Sequence, residues 1–160
     1  MKVADRKIVV SDAIKALSEK LTSSTGRRDL HKPSDTVDYL RLLIGDQKVE
    51  TSVVLYLDAR FRLLGTDTKV GTVDECVFQP RPILMKAFDL CARYMIIAHN
   101  HPSGDCTPSN NDVNATKRIA ELMANFDVEL LDHFVIGRAP GFPCWSISHG
   151  GEVDKLCSTI

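Results

Sequence analysis

Tyr94-Met-Ile-Ile-Ala98-His99-Asn-His101-Pro-Ser-Gly-Asp-Cys-Thr-Pro-Ser109-Asn-Asn-Asp112 is the stretch on which the fold turns. Its first five residues are an apolar run bounded by Arg93 and His99, and a run of that length reads as a buried strand. Side chains alternate between the faces of an extended chain, so His99 and His101 share a face, about 6 to 7 Å apart along the strand. Pro102, Ser103 and Gly104 turn the chain. Ser109 then reads as a helix N-cap, with Asp112 at the third helical position, facing back toward the strand end. Two imidazoles and a carboxylate make three N/O ligands, and three ligands leave the open fourth position of a catalytic metal site. Taken alone, Ser109 and Asp112 read most simply as a variant of the capping box. With both histidines on one face, metal binding is the stronger reading. The consecutive letters His-Asn-His are no sign of a nuclease, whose signature of that name is a scattered set.

On either side of this stretch, hydrophobic periodicity sets the elements. Ser11 can cap a helix carrying Ile14, Leu17 and Leu21, and the polar run from Thr22 to Asp29 reads as a linker. Pro33-Ser34 opens a helix with Val37, Leu40 and Ile44 on its buried stripe and Gly45 as its stop. Thr51 to Leu57 is β-branched and apolar enough for a central strand. Asp58-Ala-Arg turns it into a second strand, Leu63 to Val73, as an antiparallel hairpin. Pro80 and Pro82 precede a helix with Ile83, Ala87, Leu90 and Cys91 on one face, which puts Cys91 in the core. The helix after the metal loop runs from Asn110 to about Asn125, with a stripe of Val113, Ile119, Leu122, Met123 and Phe126. Strands follow at Val128 to Ile136 and Trp145 to Ser148. This order predicts an α/β (α+β) domain, a mixed sheet with helices packed on it.

Composition bounds the function. The chain has 160 residues, 44% hydrophobic and 26% charged, which suits one soluble globular domain. No apolar run approaches the length of a membrane span, and Met1-Lys-Val-Ala-Asp-Arg-Lys7 has no apolar segment after it, so neither membrane nor secretion is expected. Five cysteines without paired spacing suit free thiols in a reducing cytoplasm. A net charge of -1 and a pI near 6.5 give no drive toward nucleic acid.

The spacing His-x-His, seven residues, Ser, two residues, Asp resembles the JAMM (MPN+) metalloprotease signature. The fuller string His99-Asn-His-Pro-Ser-Gly-Asp105 with Thr107-Pro-Ser109-x-x-Asp112 resembles the RadC-type branch. The likeness runs from about Ser34, through Leu131-Asp-His-Phe-Val-Ile-Gly137, to about Gly151. It implies a single JAMM/MPN-like domain of cytidine-deaminase-like architecture over 31–153, after a short helical extension, 1–30, and before a tail, 154–160. It implies Zn2+ on His99, His101 and Asp112, Glu50 as general base and Ser109 as oxyanion donor. By its residues alone Glu50 reads as a solvated strand-end charge, with Asp67 and Glu75 as competing carboxylates. Asp132 and His133 read as supporting or structural residues, His31 and His149 as surface. Two departures from the RadC-type pattern stand out: Pro80-Arg81-Pro82, where Pro-Arg-Glu is usual, and Cys106 in the loop.

The implied activity is zinc-dependent hydrolysis of a peptide or isopeptide bond in a protein or peptide substrate. That substrate includes conjugates of a ubiquitin-like system, as in bacterial defence operons. The alternative class is a DNA-repair-associated protein acting on or near DNA. A metal-free scaffold and a Cys106–His101 hydrolase rank lower. Oligomeric state stays open.

Overall fold

The computed structural model describes residues 30, 32–71 and 78–153. The expected first helix and linker, His31, Glu75, Cys76, Cys157 and the C-terminal tail lie outside them. Helix α1 spans Pro33–Ile44, strand β1 Thr51–Leu57, β2 Leu63–Val70, helix α2 Pro80–Asp89 and β3 Tyr94–His101. Helix α3 spans Asn110–Ala124, β4 Glu129–Gly137, β5 Cys144–Ser146 and β6 Gly151–Glu152. The strands form one mixed sheet in the order β2-β1-β3-β4-β5-β6. Neighbours are antiparallel except β3 and β4, which run parallel. A parallel pair needs a crossover, and α3 is that crossover.

The alternation of each strand sorts residues into two cores. On one face Val53, Leu55, Leu57, Ile96, Ala98, Phe134 and Ile136 meet Val37, Leu40 and Ile44 of α1. On the other, Val54, Tyr56, Met95 and Ile97 meet Ile83 and Ala87 of α2 and Ile119 and Met123 of α3. β1 is buried along its whole length, as a strand covered on both faces must be. His99 is in phase with Met95 and Ile97, so it points to the face of α2 and α3.

Gly45 ends α1 as expected, with a right-handed φ of -59°. Its role is close approach: a Cβ there would lie 2.5 Å from the Arg41 carbonyl oxygen and 3.0 Å from the Phe142 ring. Several expectations need correcting. Cys91 lies beyond the end of α2, at φ 51°, and is exposed rather than core. Helix α3 stops at Ala124, which leaves Phe126 exposed. β2 ends at Val70, β5 ends at Ser146, and the two-residue β6 is too short to show as a periodic signal.

Candidate metal centre

β3 ends in three residues that alternate between two tasks. Asn100, fully buried on the α1 face, locks the sheet. Its Oδ1 accepts the Thr51 N–H at 2.8 Å, and its Nδ2 donates to the carbonyls of Gln47 and Val49 at 3.1 and 3.3 Å. This ties the segment before β1 to the end of β3. Half-buried Glu50 lies in that segment, and its carbonyl accepts the Gly71 N–H at 2.8 Å. Ser52 pairs with His99 in the β1–β3 register. The two-residue period gives Glu50 the face of Ser52 and His99, at the same end of the sheet.

His99 and His101 take the other face. Their Nε2 atoms are 3.0 Å apart. Asp112, in the first turn of α3, brings Oδ1 to 3.4 Å from His99 Nε2 and Oδ2 to 3.9 Å from His101 Nε2. Among the described residues these three are the one group whose ligand atoms gather within 4.8 Å. Ser109 and Asp112 form a full capping box. Ser109 Oγ accepts the Asp112 N–H at 3.2 Å, and Asp112 Oδ2 accepts the Ser109 N–H at 2.7 Å. The Ser109 hydroxyl also donates to Asp112 Oδ2 at 2.6 Å. Oδ2 is thereby held by Ser109, and Oδ1 is left toward His99.

Hydrogen bonds behind the histidines fix their protons. Thr116 Oγ1 lies 2.6 Å from the Asp112 carbonyl, which only accepts, so the hydroxyl proton goes there. Oγ1 then accepts from His133 Nδ1, also at 2.6 Å. A neutral imidazole carries one N–H, so His133 Nε2 is an acceptor and takes the proton of His99 Nδ1 at 2.8 Å. That leaves His99 Nε2 as a bare lone pair. His101 Nδ1 donates to the Asp105 carbonyl at 2.8 Å, which leaves its Nε2 bare as well. Burial holds His99 neutral, pulling its pKa from 6.5 down to about 4, with the charge on His101 adding and that on Asp112 opposing. Burial pushes His133 well below its usual value too, helped by the charges of His99 and His101.

The loop between ligands is held close. A Cβ at Gly137 would run into the Gly104 carbonyl, so the end of β4 needs glycine to let the metal loop pack on it. Asp132 is turned away from this centre. Its carboxylate accepts from Ser146 Oγ at 2.6 Å, from its neighbour His133 N–H at 2.7 Å and from Ser148 N–H at 3.1 Å, pinning the turn after β5. His149 is exposed, as expected, but its Nδ1 lies 2.9 Å from Ser146 Oγ and 3.4 Å from Asp132. Asp67 lies on β2, opposite Val54, and accepts the Tyr56 hydroxyl at 3.1 Å; burial first, then the Asp67 charge, pushes that phenol up. Cys106 is buried and outside the three-residue group, and both ring nitrogens of His101 are directed elsewhere. His101 is therefore not placed as the base of a Cys106 hydrolase.

The family model of the RadC-like JAB domain matches residues 30–150. The chain belongs to the RadC-like JAB-domain family. Its curated relatives carry the name UPF0758 protein. One from Burkholderia thailandensis is 43% identical over 130 residues, covering 81% of this chain and 48% of that protein. One from Paraburkholderia phytofirmans is 38% identical, covering 81% and 49%. One from Burkholderia vietnamiensis is 37% identical over 143 residues, covering 88% and 55%. The chain thus spans about half the length of the relatives it matches. The RadC-like JAB domain is a metalloprotease-type fold, and among the described residues no helix is long and apolar enough to cross a membrane.

The donor set of this JAB domain fits a zinc ion. Zinc–nitrogen bonds of about 2.0 to 2.1 Å put neighbouring ligands of a tetrahedron roughly 3.3 Å apart, close to the 3.0 and 3.4 Å seen here. Two bare nitrogen lone pairs and a carboxylate oxygen repel one another unless a cation stands between them. Thr116 and Asn100 escaped the sequence reading. Thr116 carried a signal: it lies four residues after Asp112, one turn along the same face of α3.

Proposed function

We propose that this domain is a zinc-dependent peptidase that hydrolyses a peptide or isopeptide bond in a protein substrate. The observation that carries this reading is the pair of Nε2 atoms 3.0 Å apart beside Asp112, each on a ring whose Nδ1 has a hydrogen-bond partner of its own. His99, His101 and Asp112 would hold the ion. Zinc with three protein ligands acidifies water and polarises a carbonyl. Glu50 serves as general base, taking a proton from water and returning it to the leaving amine. Ser109 donates to the developing oxyanion once its hydroxyl turns from Asp112 Oδ2. Its neighbour Asp112 keeps the Ser109 N–H bond during that turn, so the helix stays capped.

Such a peptidase acts in the cytoplasm on protein conjugates, including those of a ubiquitin-like system. The direct experiment is cleavage of paired fluorogenic probes, one joined by a backbone amide and one by a lysine isopeptide, with zinc-loaded and chelated protein. Cleavage of either probe that depends on zinc supports the reading. Zinc-loaded protein inert toward both and toward mixed peptide libraries counts against it.

A further inference from the structure

We propose that the cleft beside the metal centre is a substrate subsite for one branched apolar side chain flanking the bond that is cut. It deepens the peptidase reading and rests on it. The cleft has a volume of about 160 Å³ and is lined by Ser52, Val54, Asp67, Lys69, Phe78 and Ile83 among others. Small-molecule sites begin at about 300 Å³. A nucleotide or organic cofactor is therefore too large, and a single side chain is the right size.

Its position follows from strand register. Ser52 in the lining is the cross-strand partner of His99. Phe78 presents its ring edge-on to His99, 6.4 Å between centroids, and to His133, 5.2 Å. The cleft therefore opens one residue pair from the candidate ligands. An extended substrate advances about 3.3 Å per residue, so a residue adjoining the reacting carbonyl delivers its side chain there.

Its chemistry is apolar. Val54 and Ile83, both nearly buried, form the floor, and Phe78 closes the side toward the metal centre. Two polar groups of the lining are already engaged: Ser52 Oγ donates to the Lys69 carbonyl at 3.3 Å, and Asp67 accepts from Tyr56 at 3.1 Å. Asp67 and Lys69 alternate along exposed β2 with opposite charges, so the rim favours neither sign of ligand. Burying a leucine-sized side chain in place of hydrogen stabilises the complex by about ten-fold or more.

The test is calorimetric binding of hydroxamates, which chelate zinc, to the zinc-loaded full chain. N-acetyl-leucine hydroxamate is compared with N-acetyl-glycine hydroxamate, and isobutylsuccinyl hydroxamate with its unbranched parent. The two pairs probe the acyl and amine sides of the bond. In at least one pair the branched compound should bind about ten-fold tighter or more. Gln79 also lines the cleft, and both it and Lys69 are exposed at the rim; Lys69→Trp or Gln79→Trp should erase that advantage and leave the parent's affinity unchanged. Equal binding within both pairs overturns the subsite while leaving the peptidase reading intact. An advantage that survives both tryptophans also overturns it, because the side chain is then held elsewhere. Failure of every hydroxamate to bind zinc-loaded protein overturns the peptidase reading itself, and the subsite with it.

Discussion

Thr116 touches neither ligand nitrogen, yet its hydroxyl decides which nitrogen of His99 carries the proton. Thr116→Val keeps the shape and removes the oxygen. His133 Nδ1–H then loses the acceptor it has at 2.6 Å inside a fully buried ring. An unsatisfied buried donor costs about 1 to 3 kcal/mol, so His133 relieves it by moving its proton to Nε2. That proton meets the His99 Nδ1–H across 2.8 Å, and His99 must shift its own proton to Nε2, the atom aimed at Asp112 and His101. Zinc must then displace the wrong tautomer before it can bind. The expected loss of affinity is about 10 to 100-fold, the usual effect of removing a hydrogen-bond partner behind a metal-bound histidine. Thr116→Ser keeps the oxygen and should bind zinc nearly as the parent does. The assay is zinc titration against a competing chelator, with nitrogen-15 shifts of His99 reporting the tautomer. If Thr116→Val binds zinc like the parent and His99 keeps its Nδ1 proton, the relay is refuted. If Thr116→Ser weakens binding while Thr116→Val does not, the threonine methyl matters and its hydroxyl does not.

Three further outcomes are expected. Purified protein should carry about one zinc per chain by elemental analysis, and His99→Ala or Asp112→Ala should empty the site. Glu50→Gln should retain full zinc occupancy while cleavage falls at least about 10²-fold, and Asp67→Asn should leave turnover nearly intact; the reverse pattern would show that the base is the wrong carboxylate. In metal-free protein His99 protonates at about 4 when folded against 6.5 when unfolded, so the unfolded chain takes up the proton first as pH falls. Stability present above pH 6.5 should decline by roughly 3 kcal/mol down to pH 4, with His133 acting in the same direction. Urea unfolding across that range checks it, and a flat profile would show that His99 is not buried as described.

The strand–turn–helix of the metal loop could be read from sequence because each part has a local signal. An apolar run, a Pro-Ser-Gly turn and an N-cap serine are all contiguous, and the helix they announce begins at Asn110, as expected. The alternation that put His99 and His101 together is a property of extended chain, independent of the rest of the fold. What stayed hidden depends on distant contacts. The Cys91 error came from extending a helical stripe past Asp89, where the backbone turns left-handed. Gly45 reads as a helix stop, but the Phe142 ring that packs against it lies 97 residues away and leaves no local signal. The partnership of Thr116 with His133 joins α3 to β4; the spacing from Asp112 puts Thr116 on the right face of α3, but nothing local pairs it with a residue of β4.

The same geometry explains why the centre sits where it does. β3 and β4 are the one parallel pair among the described strands, so the chain must leave the end of β3 and cross back over the sheet through α3. The first turn of that crossover helix returns to the strand end it has just left. A carboxylate at its third position therefore faces side chains from the last residues of β3. His99 and His101 occupy those residues on the helix-covered face, and Asn100 between them turns to the α1 face and closes the sheet against the segment holding Glu50. One alternating tripeptide thus supplies two ligands and the lock that fixes the candidate base relative to them. Loosening the lock should separate the two functions: Asn100→Ala leaves all three ligands in place while freeing the Glu50 segment. Zinc binding should then survive a change that lowers turnover, an outcome opposite to that of Thr116→Val. If both variants lose zinc together, Asn100 holds the ligands themselves, and the division of labour across the two faces is wrong.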